Sequence, residues 1–161
     1  MNKTFIFIFT FLGLMTLLSL YMLVVVLWTG HGMKYKIKDN LLTKKQNDIL
    51  NQTLVCNTFS WYYNDNTIVE GDDYYHFNHM FYLNGEPNSE YVGLVEPLLK
   101  KIKFKKLLNV RSNLFLRDHV NTVYPKHKDY PYDHKVLLYY INSTNGGTLL
   151  DEKITIQCKK N

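Results

Sequence analysis

Hydrophobic and polar positions divide the chain into stretches of different period. Phe5 to Trp28 is apolar throughout and carries no charge. As a helix rising about 1.5 Å per residue it is long enough to cross a ~30 Å hydrocarbon core, so the expectation is one apolar N-terminal helix. From Met33 the pattern changes. Thr43-Lys-Lys-Gln46 has the spacing of a capping box, and Ile49, Leu50 and Leu54 continue an apolar face, which predicts a helix over Thr43–Leu54. Phe59–Val69 is aromatic and partly alternating, closed by a Gly71-Asp72-Asp73 turn, and Phe77–Leu83 reads as a further strand. Tyr91, Leu94, Val95, Leu98, Leu99 and Ile102 recur at helical spacing behind a Ser89 cap, with Pro97 placed to kink or split the helix. Beyond Val110 the period becomes two. Val110–Arg117 and Val136–Asn142 are strands, Asn142–Gly147 is a loop ending in Gly-Gly, and Thr148–Leu150 and Ile154–Ile156 are short strands. The fold class expected is mainly β with flanking helices (α+β), with residues 1–32 as a hydrophobic segment and 33–161 as a single domain.

Charge sharpens the reading of the first segment. Lys34, Lys36 and Lys38 follow it closely, against Lys3 alone before it, and Trp28 stands where an interfacial aromatic would. The expectation is a single-pass transmembrane anchor over residues 5–28, with the C-terminal domain on the cytoplasmic side. No small-x-small site follows the run, which disfavours a cleaved signal peptide. The competing reading takes Met33 as the start of a cytoplasmic protein and residues 1–32 as an upstream extension.

Composition excludes disorder, because hydrophobic residues make up 46% of the chain and aromatics 15%. The net charge is +5, a mild excess that argues for no particular anionic partner. Lys100, Lys101, Lys103, Lys105 and Lys106 cluster where a helix should end, a position that favours cations, and no nucleic-acid motif accompanies them. Cys56 and Cys158 form neither a CxxC pair nor a zinc spacing and are expected to be free thiols.

The candidate chemistry lies after residue 123. In an extended chain His127 and Asp129 point to the same side, so an imidazole and a carboxylate can reach one metal ion, as two members of a 2-His-1-carboxylate triad. His-x-Asp alone is common by chance. Here Tyr124 precedes it as Tyr-x-x-His-x-Asp, the apolar strand Leu137-Leu-Tyr-Tyr-Ile-Asn142 follows, and Gly146-Gly147-Thr148 comes next. In this order the stretch resembles the Fe(II)/2-oxoglutarate-dependent dioxygenases of the prolyl 4-hydroxylase type, over about Arg111–Leu150. The resemblance implies a double-stranded β-helix (jelly-roll-like), partial in this chain, with His127 and Asp129 as iron ligands, Tyr124 on a carboxylate of 2-oxoglutarate, Fe(II) and 2-oxoglutarate as cofactors, and hydroxylation of an unnamed substrate. It also requires a distal His and a basic partner for 2-oxoglutarate. After Asp129 the sequence offers only His134, five residues on and before the next strand, and Lys159 and Lys160 in a polar tail, so the domain is expected to be truncated at its C-terminus and inactive in this form. His76 and His79 are a further histidine pair with no third ligand close in sequence. The alternative from another class is a non-catalytic, membrane-tethered β-rich binding or structural protein.

Overall fold

The computed structural model describes residues 4–12, 22–29, 32–65, 74–116, 123–150 and 154–160. It is built mostly from strands, with few helices. In chain order the elements are β1 (Thr4–Leu12), β2 (Met22–Thr29), β3 (Gly32–Asp39), α1 (Lys44–Leu54), β4 (Tyr62–Asn64), β5 (His76–Leu83), β6 (Glu86–Pro87), a 3-10 turn (Glu90–Leu94), α2 (Glu96–Leu99), β7 (Lys106–Phe115), β8 (Lys135–Tyr140), β9 (Gly147–Leu150) and β10 (Ile154–Gln157). One large sheet runs β3-β2-β8-β1-β7-β5-β4, with β6 paired to β5, and β9 and β10 form a separate hairpin.

The apolar N-terminal helix is not found. Thr4–Leu12 and Met22–Thr29 are strands, and residues 13–21 lie outside the described residues. Among the described residues no helix is long and apolar enough to cross a membrane. The expectation of a single-pass membrane protein, tethered through residues 5–28, is corrected accordingly. The physical reason lies in β7 and β8. Both run parallel to β1, which is inserted between them, Phe7 pairing with Val110 on one side and Leu137 on the other. Each strand of this pair therefore needs a partner that the other does not supply. An unbroken apolar run suits a central strand as well as a membrane helix, and periodicity does not separate the two.

The sheet is covered differently on its two faces. Leu137 and Tyr139 of β8, with Ile141 just after it, join Leu50 and Leu54 of α1, Leu98 of α2, Phe81 and Val110 in one core. Leu138 and Tyr140, the alternate residues, join Leu108, Leu150, Ile156 and Cys158 in a second. Helices thus pack on one face and the β9–β10 hairpin on the other. Leu108 and Val110 have the same parity yet lie in opposite cores. Phe5 pairs with Leu107 and Ile6 with Asn109, so a register shift at Leu108 turns the strand over.

Local signals account for the helices. The Thr43 hydroxyl accepts from the Gln46 N–H and the Gln46 side chain accepts from the Thr43 N–H, which completes the expected capping box. Tyr139 donates to Asn47 Oδ1 at 3.0 Å inside the core and ties α1 to β8. The continuous helix expected over Tyr91–Ile102 is broken in two, with Ser89 capping the 3-10 turn as expected and Pro97 seated in the first turn of α2, where its missing N–H does no harm. Of the strand expected over Phe59–Val69, Tyr62–Asn64 forms and residues 66–73, with the Gly71 turn, lie outside the described residues. Both cysteines are free, Cys158 buried and Cys56 partly so.

Candidate functional site

The Tyr124–Asp129 segment lies in the connection between β7 and β8. Residues 123–128 are exposed and form neither helix nor strand. Tyr124 is the best anchored of the motif residues at its start. Its ring meets Tyr74 at 5.0 Å and Phe115 at 5.4 Å, and Phe115 in turn stacks on buried His76 at 5.5 Å. His127 stays at the surface, its Nδ1 lying 3.3 Å from the Pro125 carbonyl.

Asp129 turns inward, but towards a cation of the protein itself. Arg111 Nη2 on β7 donates to Asp129 Oδ1 at 3.3 Å. Asn109, two residues before Arg111 on the same strand, donates to the Tyr130 hydroxyl at 2.7 Å. Burial pushes that phenol above its ordinary range, so it stays neutral. Asn109 and Arg111 therefore fasten the end of the loop to the sheet. Their side chains share a face of β7 because they are two residues apart. The guanidinium is not saturated by this bond: Arg111 Nε, and Asn113 Oδ1 further along β7, are buried with no hydrogen-bond partner.

The glycine turn is the tightest part of the constellation. A Cβ on Gly147 would lie 2.5 Å from the Ile156 carbonyl oxygen, so only glycine lets β9 approach β10 there. Tyr140 bonds to Thr148 through their hydroxyls and anchors the turn to β8. Burial pushes the Tyr140 phenol up to about 12.

The described residues do not fit a three-ligand iron site. Among them no three His, Cys, Asp or Glu side chains lie close enough to hold one metal ion. Asp129 is engaged by Arg111, and His127 is exposed. His134 is buried, with Nδ1 2.7 Å from the Tyr132 carbonyl and its ring edge-on to Tyr130, which makes it a packing residue. Lys160 points elsewhere: its N–H donates to Ser143 Oγ at 2.8 Å and its ammonium lies 3.6 Å from Asp48. Lys159 is exposed on the tail after β10.

His76 and His79 are both on β5. Three residues apart on β5 they lie on opposite sides, so they do not converge on one ion. His79 has its own surroundings. Its Nδ1 is 2.7 Å from the Ser60 carbonyl and its Nε2 is 2.7 Å from Ser89 Oγ. Phe59, Phe81 and Tyr91 pack around the ring. Burial holds its pKa below the ordinary imidazole range, opposed in part by the bond to the Ser60 carbonyl and the charge of Glu90. His79 and Ser89 sit at the wall of a cavity of about 450 Å³ lined also by Ser60, Tyr62, Asn78 and Tyr91, among others.

Sequence reasoning missed Asn109, Arg111 and the partnership of His79 with Ser89. The alternation Asn109-x-Arg111-x-Asn113 was a usable signal, since a polar stripe on a strand flanked by apolar cores calls for polar partners. The Ser89–His79 pair left no such trace, because it joins a strand to a cap ten residues away. No protein-family model matches the chain, and neither does any curated protein or solved structure.

Proposed function

We propose that the chain carries the scaffold and part of the iron-binding half of an Fe(II)/2-oxoglutarate-dependent dioxygenase, and that it does not complete the reaction with the side chains described. The observation that carries this reading is the order Tyr124-x-x-His127-x-Asp129, β8, Gly146-Gly147-Thr148, with Asp129 drawn onto the sheet face that also meets the β9–β10 hairpin. Two further features support it. The hairpin and the large sheet enclose a common core, as a double-stranded β-helix of facing sheets would. Gly147 is required by its packing against Ile156, which suits the tight Gly-Gly turn that the resemblance implies.

Two protein ligands hold a divalent ion far less tightly than three, and Arg111 competes for one of them. Weak Fe(II) binding is therefore expected, together with no 2-oxoglutarate turnover. Titrating the intact protein with Fe(II) under anaerobic conditions tests the assignment. Binding that weakens at least ten-fold in His127→Ala supports it, and binding indifferent to this change removes His127 from the ligand set.

A second reading, a non-catalytic β-rich binding or structural protein, is favoured by one observation: the Arg111–Asp129 ion pair gives Asp129 a structural partner. Under that reading Asp129→Asn weakens folding without altering any metal affinity.

A further inference from the structure

The Ser89–His79 pair contains a chemical asymmetry that fixes its protons. A backbone carbonyl only accepts hydrogen bonds, so the Ser60 carbonyl, 2.7 Å from His79 Nδ1, requires that nitrogen to carry the proton. A neutral imidazole has a single N–H. Nε2 is then a bare acceptor, and the group 2.7 Å from it, the Ser89 hydroxyl, must donate. Ser89 Oγ also accepts the Tyr91 N–H at 3.0 Å, a bond that strengthens as negative charge builds on the oxygen. The imidazole is buried, whereas Ser89 is only partly so. Both line the same cavity of about 450 Å³, beside the Asn78 amide and the rings of Tyr62 and Tyr91. Nucleophile, base and a group orienting the base are thus joined in one line, opening on a space.

We propose that Ser89 and His79 form a nucleophile–base dyad that takes the acyl group of a small ester held in this cavity, with the Ser60 carbonyl orienting the imidazole. In the first step Ser89 Oγ bonds to the acyl carbon while its proton passes to His79 Nε2. The carbon–oxygen bond to the leaving alcohol then breaks, and the alkoxide takes that proton from Nε2. Water, giving its proton to Nε2 in the same way, cleaves the acyl-serine, releases the acid and restores the hydroxyl. No oxidant or metal enters the balance. The Glu90 carboxylate, whose charge favours protonated His79, assists the transient imidazolium, while a carbonyl in place of a carboxylate behind the base makes the reaction slow. This activity is independent of the Tyr124–Asp129 loop and stands or falls separately from the dioxygenase reading.

The test uses the intact protein and a fluorophosphonate, followed by peptide mass analysis. The expected result is a phosphonyl mark on Ser89 in preference to Ser60 and Ser112, absent in S89A, accompanied by hydrolysis of p-nitrophenyl acetate that S89A reduces at least ten-fold. Equal marking of all serines, or an S89A rate equal to that of the wild type, overturns the proposal. Because changes at His79 endanger folding, S89C supplies the second measurement. A base at Nε2 makes the introduced thiol alkylate with iodoacetamide at a midpoint below pH 7, whereas a merely structural bond leaves the midpoint at or above the ordinary thiol value of about 8.5, which also overturns it.

Discussion

His127 and His79 share a residue type and little else. His127 belongs to a recognisable motif, sits on an exposed loop and has a 3.3 Å approach to a carbonyl two residues away. His79 belongs to no motif, is buried on β5 and has both ring nitrogens engaged at 2.7 Å by groups from two other segments. The first is defined by sequence order and left loose by packing. The second is defined by packing alone. A motif therefore marks where a side chain has been placed along the chain, whereas reactivity depends on whether its tautomer and neighbours are held.

The largest separation between the two is expected in stability. His79→Ala removes two part-buried hydrogen bonds and leaves a void where the buried ring packed, a loss of about 2–3 kcal/mol by urea denaturation. A loss near zero would make the two histidines equivalent. Gly147→Ala comes next: its Cβ would overlap the Ile156 carbonyl, so a loss of about 1–3 kcal/mol is expected, read as a lower urea midpoint. Arg111→Gln leaves the partly buried Asp129 carboxylate without its cation. It should destabilise the fold by about 1–2 kcal/mol, and it should raise Fe(II) affinity severalfold if Asp129 is a ligand, measured by anaerobic calorimetry.

Acid acts on His79 more gently. His79 has a folded pKa below its unfolded value of 6.5, so below that value the unfolded chain binds the proton more readily. Its contribution to stability is complete above pH 6.5, erodes as pH falls towards the lowered folded pKa, and changes no further beneath it. Denaturation midpoints at pH 7.5 and 5 should differ, and His79→Gln should flatten the difference. The smallest effect is that of His127→Ala, within about 0.5 kcal/mol of wild type in the same denaturation, as for an exposed side chain without firm partners.

What the sequence made legible follows the same division. α1 was readable to its cap because Thr43 and Gln46 act within one turn, and β5, β7, β8 and the β9–β10 hairpin were readable from period two and the Gly-Gly turn. The split of the Tyr91–Ile102 helix was foreshadowed by Pro97. The N-terminal run was misread because its pattern suits a membrane helix and a central strand alike, and pairing across the sheet decided between them. At the candidate site, Tyr124, His127 and Asp129 were singled out by their order along the chain. Their surroundings were not, because Arg111 reaches Asp129 across eighteen positions and Ser89 reaches His79 from a different element. Local rules carry no information about such contacts.

The position of β1 has a temporal side. It must be laid between β7 and β8, partners about a hundred residues further along the chain, and contacts of such range form slowly. At about 5–20 residues per second, a growing chain would carry this greasy strand for on the order of ten seconds before its berth exists. A strand made so far ahead of both its partners is thus among the last to be housed.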